Sequence, residues 1–171
     1  RSRRERIRTW TCSFSWIWRL GGAILKKIGL GADHGGFALK EVIKKHLLEK
    51  GYEVEDFGTH STESVDYPKY GKLVAHAVVD KKVDCGILVC GTGIGISIAA
   101  NKLSGIRAAL CTNVTMAKLT RQHNDANILA LGGRIIGDVV ALEIVDTFLT
   151  TEFEGGRHSR RIESIESCEL F

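Results

Sequence analysis

The chain has 171 residues, 44% hydrophobic and 26% charged, the balance of one soluble globular domain with a sizeable core, which excludes fibrous, collagen-like and wholly disordered classes. Its net charge of +4 is unevenly placed: six arginines and one glutamate fall in residues 1–25, leaving 18 basic against 19 acidic side chains in residues 26–171. That near-neutral body has no positive stripe to track a phosphate backbone, so no nucleic-acid partner is expected.

Residues 1–25 join an arginine-rich run, Arg1 to Arg8, to an aromatic and apolar stretch from Trp10 to Trp18 that Arg19 closes. This basic, aromatic extension is expected to lie outside the fold, as a non-functional leader or misassigned start, with a targeting segment as the alternative. A membrane helix needs about 20 apolar residues; the longest apolar runs elsewhere are strand-sized, so no membrane partner is expected. Residues 26–171 are expected to form a single domain, since one proline offers no rigid linker for a boundary.

The body reads as alternating strands and helices. Lys27 to Ala32 is a short apolar run ending in Asp33-His34-Gly35-Gly36, after which Phe37, Leu39, Val42, Ile43, Leu47 and Leu48 recur at helical spacing up to Gly51. The pattern then repeats: strand Tyr52–Phe57, helix Tyr67–Lys81, strand Cys85–Cys90, helix Ile94–Leu103, strand Ile106–Cys111, helix Met116–His123, strand Ile128–Leu131, helix Val139–Leu149 and a last helix Arg157–Glu169. Continuous apolar strands such as GILVC and RAALC imply burial on both faces. The expected fold is therefore an α/β, three-layer Rossmann-like domain with a five-stranded parallel sheet.

In such a sheet ligands bind outside the carboxyl ends of the strands, and the unusual polar clusters are expected there. They are Asp33-His34-Gly35-Gly36, Cys90-Gly91-Thr92-Gly93-Ile94-Gly95, His123-Asn124-Asp125 and Gly132-Gly133-Arg134. The alternating glycines of the second cluster enter a helix and let successive backbone N–H groups face one concavity, where an anion can sit; a glycine turn needed only for packing is the alternative. The spacing is neither the dinucleotide fingerprint nor Walker A. Five widely spaced cysteines, Cys12, Cys85, Cys90, Cys111 and Cys168, fit neither a disulfide scaffold nor a zinc site, so a reducing, cytoplasmic setting and no metal are expected. Cys90 stands at a helix N-terminus, where free N–H groups favour a thiolate, although a free cysteine is also commonly a small buried hydrophobe. His34 and His123 offer groups that titrate near neutrality. Arg134 and the run Gly156-Arg157-His158-Ser159-Arg160-Arg161 have the guanidinium density a phosphate prefers, or form a solvated basic helix face.

The strings GADHGGFALK, VCGTGIGISIAANK, RQHNDANILALGGR and GRHSRRI, in this order from Lys27 to about Ile165, resemble the type B ribose-5-phosphate isomerases, a family that also holds galactose-6-phosphate and allose-6-phosphate isomerases. The resemblance implies an aldose–ketose isomerase of carbohydrate metabolism, in the pentose phosphate pathway, needing no cofactor. It implies that Cys90 moves a proton between C2 and C1 of the open-chain sugar while the loop Gly91, Thr92, Gly93, Ile94 and Gly95 donates N–H groups to the enediolate. Thr92 and His123 would open the ring, Asp33 and Asn124 would hold sugar hydroxyls, and His34, Arg134, Arg157 and Arg161 would hold the phosphate. A second branch of the family has a glutamate base where this chain has Ile96, which places the chain in the cysteine branch. The resemblance further implies a homodimer or homotetramer with sites shared between chains, His123 and Arg134 facing the neighbour's Cys90 loop. A six-carbon sugar phosphate as substrate, or a non-enzymatic nucleotide-binding α/β module, are the alternatives.

Overall fold

The computed structural model describes residues 26–167; the 1–25 extension and the residues beyond Ser167 lie outside the described residues. Five strands, β1 Lys27–Ala32, β2 Glu53–Asp56, β3 Cys85–Cys90, β4 Ala108–Leu110 and β5 Ile128–Gly132, form one all-parallel sheet in the order β2-β1-β3-β5-β4. Six helices accompany them: α1 Phe37–Glu49, α2 Tyr67–Val79, α3 Ile94–Asn101, α4 Val114–Asn124, α5 Asp138–Thr150 and α6 Arg157–Glu166. The order in which the chain adds strands to the sheet reverses between β1 and β3, and in open parallel sheets such a switch point, outside the carboxyl ends of the strands, is where ligands bind.

Two apolar layers hold the sheet. On one face, Ile28, Leu30, Ile87 and Leu129 pack with Ile43 and Leu47 of α1 and Ile144 and Phe148 of α5. On the other, Leu88, Ile128 and Ala130 meet Tyr70 and Val74 of α2 and Ile96 of α3. Burial on both faces explains why the central strands read as unbroken apolar runs. The two edges are shielded in different ways. β2 carries acidic side chains, with Lys27 of β1 paired to Glu55 at 3.0 Å. On the other edge the Asn101 amide behaves as one residue of a missing strand, donating to the Ala108 carbonyl at 2.9 Å and accepting from its N–H at 2.7 Å, which closes that position to pairing with another chain.

Element types agree with the sequence reading and the ends differ. β4 shrinks to three residues because it pairs on one side only, with β5. α4 begins two residues early, since the Asn113 side chain accepts from the Met116 N–H at 2.9 Å and caps the first turn. α6 ends at Glu166. Among the described residues no helix is long and apolar enough to cross a membrane.

Inside the apolar stripe of α1 lies an exception, Lys40, whose side chain is 0% exposed. Its ammonium reaches both oxygens of Asp56 at 2.8 Å and Glu41 at 2.9 Å, and Lys44 adds a contact to Asp56 at 2.9 Å. Burial alone would push the Asp56 carboxyl up, but hydrogen bonds from Lys40, Lys44 and the Gly58 N–H outweigh it and hold the carboxyl below its ordinary value. On the surface, Asp146 is likewise held low against its partial burial by Lys50 and His46. A carboxyl depressed on folding contributes stability that is complete above its unfolded value, about 3.9, and lost as pH falls through the lower folded value. Thermal melts should therefore show stability declining below about pH 4. Asp56→Asn should cost roughly 3 kcal/mol at pH 7, because it strips Lys40 of its main counter-charge, and should lose less on further acidification than the parent does.

Candidate active site

Three loops meet at the carboxyl ends of β1, β3 and β5, and they touch through backbone. A Cβ on Gly36 would collide with the Val89 carbonyl, one on Gly132 would come within 2.6 Å of the Thr92 oxygen, and one on Gly133 within 2.7 Å of the Gly35 oxygen. Hydrogen bonds complete the seam: Gly133 N–H donates to the Cys90 carbonyl at 2.8 Å, Arg134 N–H to Gly91 at 3.0 Å, and Asp33 N–H to Val89 at 3.2 Å.

The seam gathers Asp33, His34, Cys90, Gly91, Thr92, Gly93, Ile94, Gly95 and Arg134 in one place. The Asp33 carboxylate, 7% exposed, accepts from the Gly36 N–H at 3.0 Å, which turns the chain into α1. His34 Nδ1 accepts from the Val65 N–H at 3.2 Å, so in the neutral ring the proton sits on Nε2. The exposed Arg134 side chain lies along Gly91, about 3.5 Å from where a Cβ would stand.

Cys90 closes β3 and is 4% exposed. Its sulfur accepts from the Gly93 N–H at 3.1 Å, so a lone pair rather than the S–H faces the helix start. Gly93 adopts φ +80°, left-handed backbone that aims its N–H back at the sulfur. Two donors expected for an anion are thus engaged within the loop, Gly93 with the sulfur and Ile94 with Thr92 Oγ1 at 3.2 Å. Ile96, at the position where the other family branch has its base, is wholly in the core. Burial pushes the thiol of Cys111 up to about 11, in keeping with a packing role.

Sequence reasoning missed Tyr67. The first residue of α2 lies over Gly95, where a Cβ would stand 2.6 Å from the ring and 3.0 Å from the hydroxyl. The Tyr67-Pro68 helix start was the one available signal, and it speaks of a helix, not of a site.

The remaining predicted residues lie elsewhere, contrary to the expectation that every polar cluster falls at the carboxyl ends. α4 runs antiparallel to the strands, so His123 and Asn124, at its end, reach the amino end of the sheet beside the start of β5. The four steps of β5 from Ile128 to Gly132 put about 13 Å between the two ends. α5 likewise delivers Arg157 and Arg161 to the amino end, one helical turn apart and exposed, while His158 and Ile162 of the same helix turn inward. His158 stacks on His123 with ring centroids 4.4 Å apart and planes 13° from parallel. Burial, then the neighbouring His123, hold the His158 imidazole below its ordinary value. Arg107 ties this end together, reaching Glu166 at 2.8 Å and Asp125 at 3.5 Å. Arg134, expected to face a neighbour's Cys90 loop, instead lies against Gly91 of its own chain, because the β5 turn is hydrogen-bonded to the β3 turn.

Among the described residues, His123, Glu154 and His158 are of metal-ligand type, with donor atoms within 4.8 Å of one another. An ion about 2.1 Å from each nitrogen would have to lie in both ring planes, which near-parallel stacked rings do not permit, so this arrangement does not fit a metal.

The sequence pattern of the family described as Ribose/Galactose Isomerase matches residues 28–165. The chain is 54% identical over 145 residues to the ribose-5-phosphate isomerase B of Escherichia coli K12, covering 85% of this chain and 97% of that protein. Its fold superposes on a ribose-5-phosphate isomerase B from Clostridium thermocellum with TM-score 0.82 at 61% identity, covering 82% of this chain and 95% of that one. Against the Mycoplasma genitalium ribose-5-phosphate isomerase B with bound ribulose 5-phosphate, the TM-score is 0.79 at 44% identity, over 82% and 93% of the two chains.

Gly93 gives the most direct check on the loop. A Cβ there would press to 2.5 Å from Leu110 and 2.8 Å from the Leu131 carbonyl carbon, at a φ that disfavours any side chain. Gly93→Ala should destabilise the fold by more than about 1 kcal/mol in denaturant titrations, and the reactivity of Cys90 toward iodoacetamide in the folded protein should change as the N–H swings off the sulfur.

Proposed function

The chain belongs to the ribose/galactose isomerase family and is an aldose–ketose isomerase; we propose that it interconverts ribose 5-phosphate and ribulose 5-phosphate with Cys90 as the base. The observation that carries the reading is the Cys90 sulfur at the start of α3, held by the Gly93 N–H at 3.1 Å within a cluster that also contains Asp33, His34 and Arg134. A sulfur so held, as thiolate, receives a proton from C2 of the open-chain aldose and returns it to C1, while O1 gains a proton and O2 loses one. The electron pair rests meanwhile on the enediolate, the species whose charge most needs stabilising. Substrate and product are isomers and the proton is recycled, so the chemistry requires no redox partner.

In this reading the loop N–H groups divide their work. Gly93 serves the sulfur, and the enediolate oxygens are left to the remaining donors of the Gly91–Gly95 turn. His34, with its proton on Nε2, donates to a phosphate or sugar oxygen, Asp33 accepts from a hydroxyl, and Arg134 supplies positive charge beside Gly91. Ring opening assigned to Thr92 and His123 meets a geometric condition, because the two lie at opposite ends of the sheet. A second copy of the chain satisfies it by presenting His123, Asn124, Arg157 and Arg161 to the Cys90 loop of the first. The complex of the Mycoplasma genitalium relative with ribulose 5-phosphate and the 54% identity to the Escherichia coli enzyme support the five-carbon substrate.

Incubation with ribose 5-phosphate should yield ribulose 5-phosphate, at higher kcat/KM than the corresponding reactions of allose and galactose 6-phosphates. Cys90→Ala should lower kcat by about 10²- to 10⁴-fold with folding intact, whereas Cys111→Ala should leave kcat within a few-fold; a Cys90→Ala enzyme keeping more than about a tenth of kcat would remove Cys90 from the role of base.

The shared pocket has its own test. Cys90→Ala and His123→Ala proteins, each inactive, are co-refolded in equal amounts. With two-fold symmetry about half the dimers are mixed, one pocket of each mixed dimer carries both lesions and the other none, and about a quarter of parent activity returns. No recovery, with mixed dimers seen by native mass spectrometry, would place each pocket within one chain.

A further inference from the structure

The proposed chemistry leaves Lys40, whose ammonium is fully buried, without a task. A fully buried ammonium adds little stability over an apolar side chain of the same volume, so its place in α1 invites another explanation, and its contacts lead to the site in short steps. Lys40 grips Asp56 with two contacts of 2.8 Å, and Asp56 Oδ1 accepts from the Gly58 N–H at 2.9 Å. Beyond the end of β2, the chain stays zipped to β1: Phe57 N–H donates to Leu30 at 2.9 Å, Ala32 N–H to Gly58 at 2.7 Å, and Thr59 N–H to Ala32 at 2.7 Å. Ala32 is followed directly by Asp33 and His34. From Thr59, which is 5% exposed, the chain makes an exposed excursion through His60–Ser64 and returns with Val65, whose N–H donates to His34 Nδ1 at 3.2 Å.

A backbone N–H has only a proton to offer, so the ring nitrogen it meets must be the unprotonated one. The position of Val65 therefore decides which nitrogen of neutral His34 carries hydrogen. Val65 stands on a loop whose root is the Asp56–Gly58 contact, and that root is clamped by Lys40.

We propose that Lys40 and Asp56 are positioning residues for the isomerase site, holding the 57–65 loop so that Val65 keeps His34 in its Nε2–H form as a donor to the sugar phosphate. The contact of His34 with substrate rests on the function proposed above; the control of its tautomer does not.

Two variants test this. Lys40→Met removes the clamp. Lys40→Met/Asp56→Leu replaces the buried pair by apolar volume, an exchange that is often neutral or stabilising, so it separates loss of the anchor from loss of the fold, which circular dichroism and thermal melts monitor. Long-range 15N–1H spectra of the histidine rings should show His34 as Nε2–H in the parent and as a mixture of tautomers in both variants. With ribose 5-phosphate, KM should rise about tenfold, the cost of one misdirected hydrogen bond to a charged group, while kcat stays within about threefold. In a His34→Ala background, Lys40→Met should add almost nothing to the loss in kcat/KM, because the two act through one contact.

An Nε2–H ring unchanged in the well-folded double variant would overturn the proposal, as would a Lys40→Met penalty of equal size with and without His34. If His34→Ala leaves KM unchanged, the substrate contact of His34 fails, and the ring spectra still decide whether Lys40 and Asp56 set its tautomer.

Discussion

The site depends on backbone lying directly on backbone where the β1, β3 and β5 turns converge. Gly36 under Val89, Gly132 against Thr92 and Gly133 against Gly35 leave no room for a methyl group, and the hydrogen bonds from Gly133 and Arg134 to Cys90 and Gly91 lock the turns in register. This contact brings Asp33, Cys90 and Arg134, from three separate loops, within reach of one small molecule. It also braces them there, since each turn is held by the next and by strands buried on both faces.

The same sheet that gathers these residues separates them from the rest. Helices that return antiparallel to the strands carry the end of α4 and the start of α6 to the opposite pole, where Arg107 and the His123–His158 stack organise a second polar surface. Each pole holds some of the groups that the proposed function calls on, and the length of a strand divides them. A shared pocket is the arrangement that reconciles this separation with the family's chemistry, which ties catalysis to assembly in the proposed function.

Charge is used differently at the two levels. At the first pole, the exposed Arg134 and the Nε2–H of neutral His34 are the groups that meet an anionic ligand in the proposed function. Behind them, Lys40 and Asp56 bury opposite charges against each other where no ligand can come. A buried pair of this kind stabilises the fold weakly but is strongly directional, and direction is what a loop carrying the His34 contact needs.

Much of this was legible in the chain alone, for definable reasons. The order and type of all eleven elements follow from local periodicity: the β3 run CGILVC must be buried on both faces, and the Phe37–Leu48 spacing makes one apolar stripe. The Asp33–Gly36, Cys90–Gly95 and Gly132–Arg134 turns follow from glycine and polar residues placed after strands. The family resemblance rests on those same turns together with the RQHNDAN and GRHSRRI strings. What sequence could not decide was which turns share an end of the sheet: His123 follows the fourth strand in sequence, yet a whole helix intervenes and carries it to the other pole. Nor could it show Tyr67 over Gly95, the Gly93 N–H engaged by sulfur, Arg134 turned to its own Gly91, or Lys40 leaving the helix surface for Asp56. Periodicity depends on neighbours along the chain and survives in the sequence as a pattern, whereas these contacts join residues far apart in it and are set by strand order and helix direction, which exist only once the chain has packed.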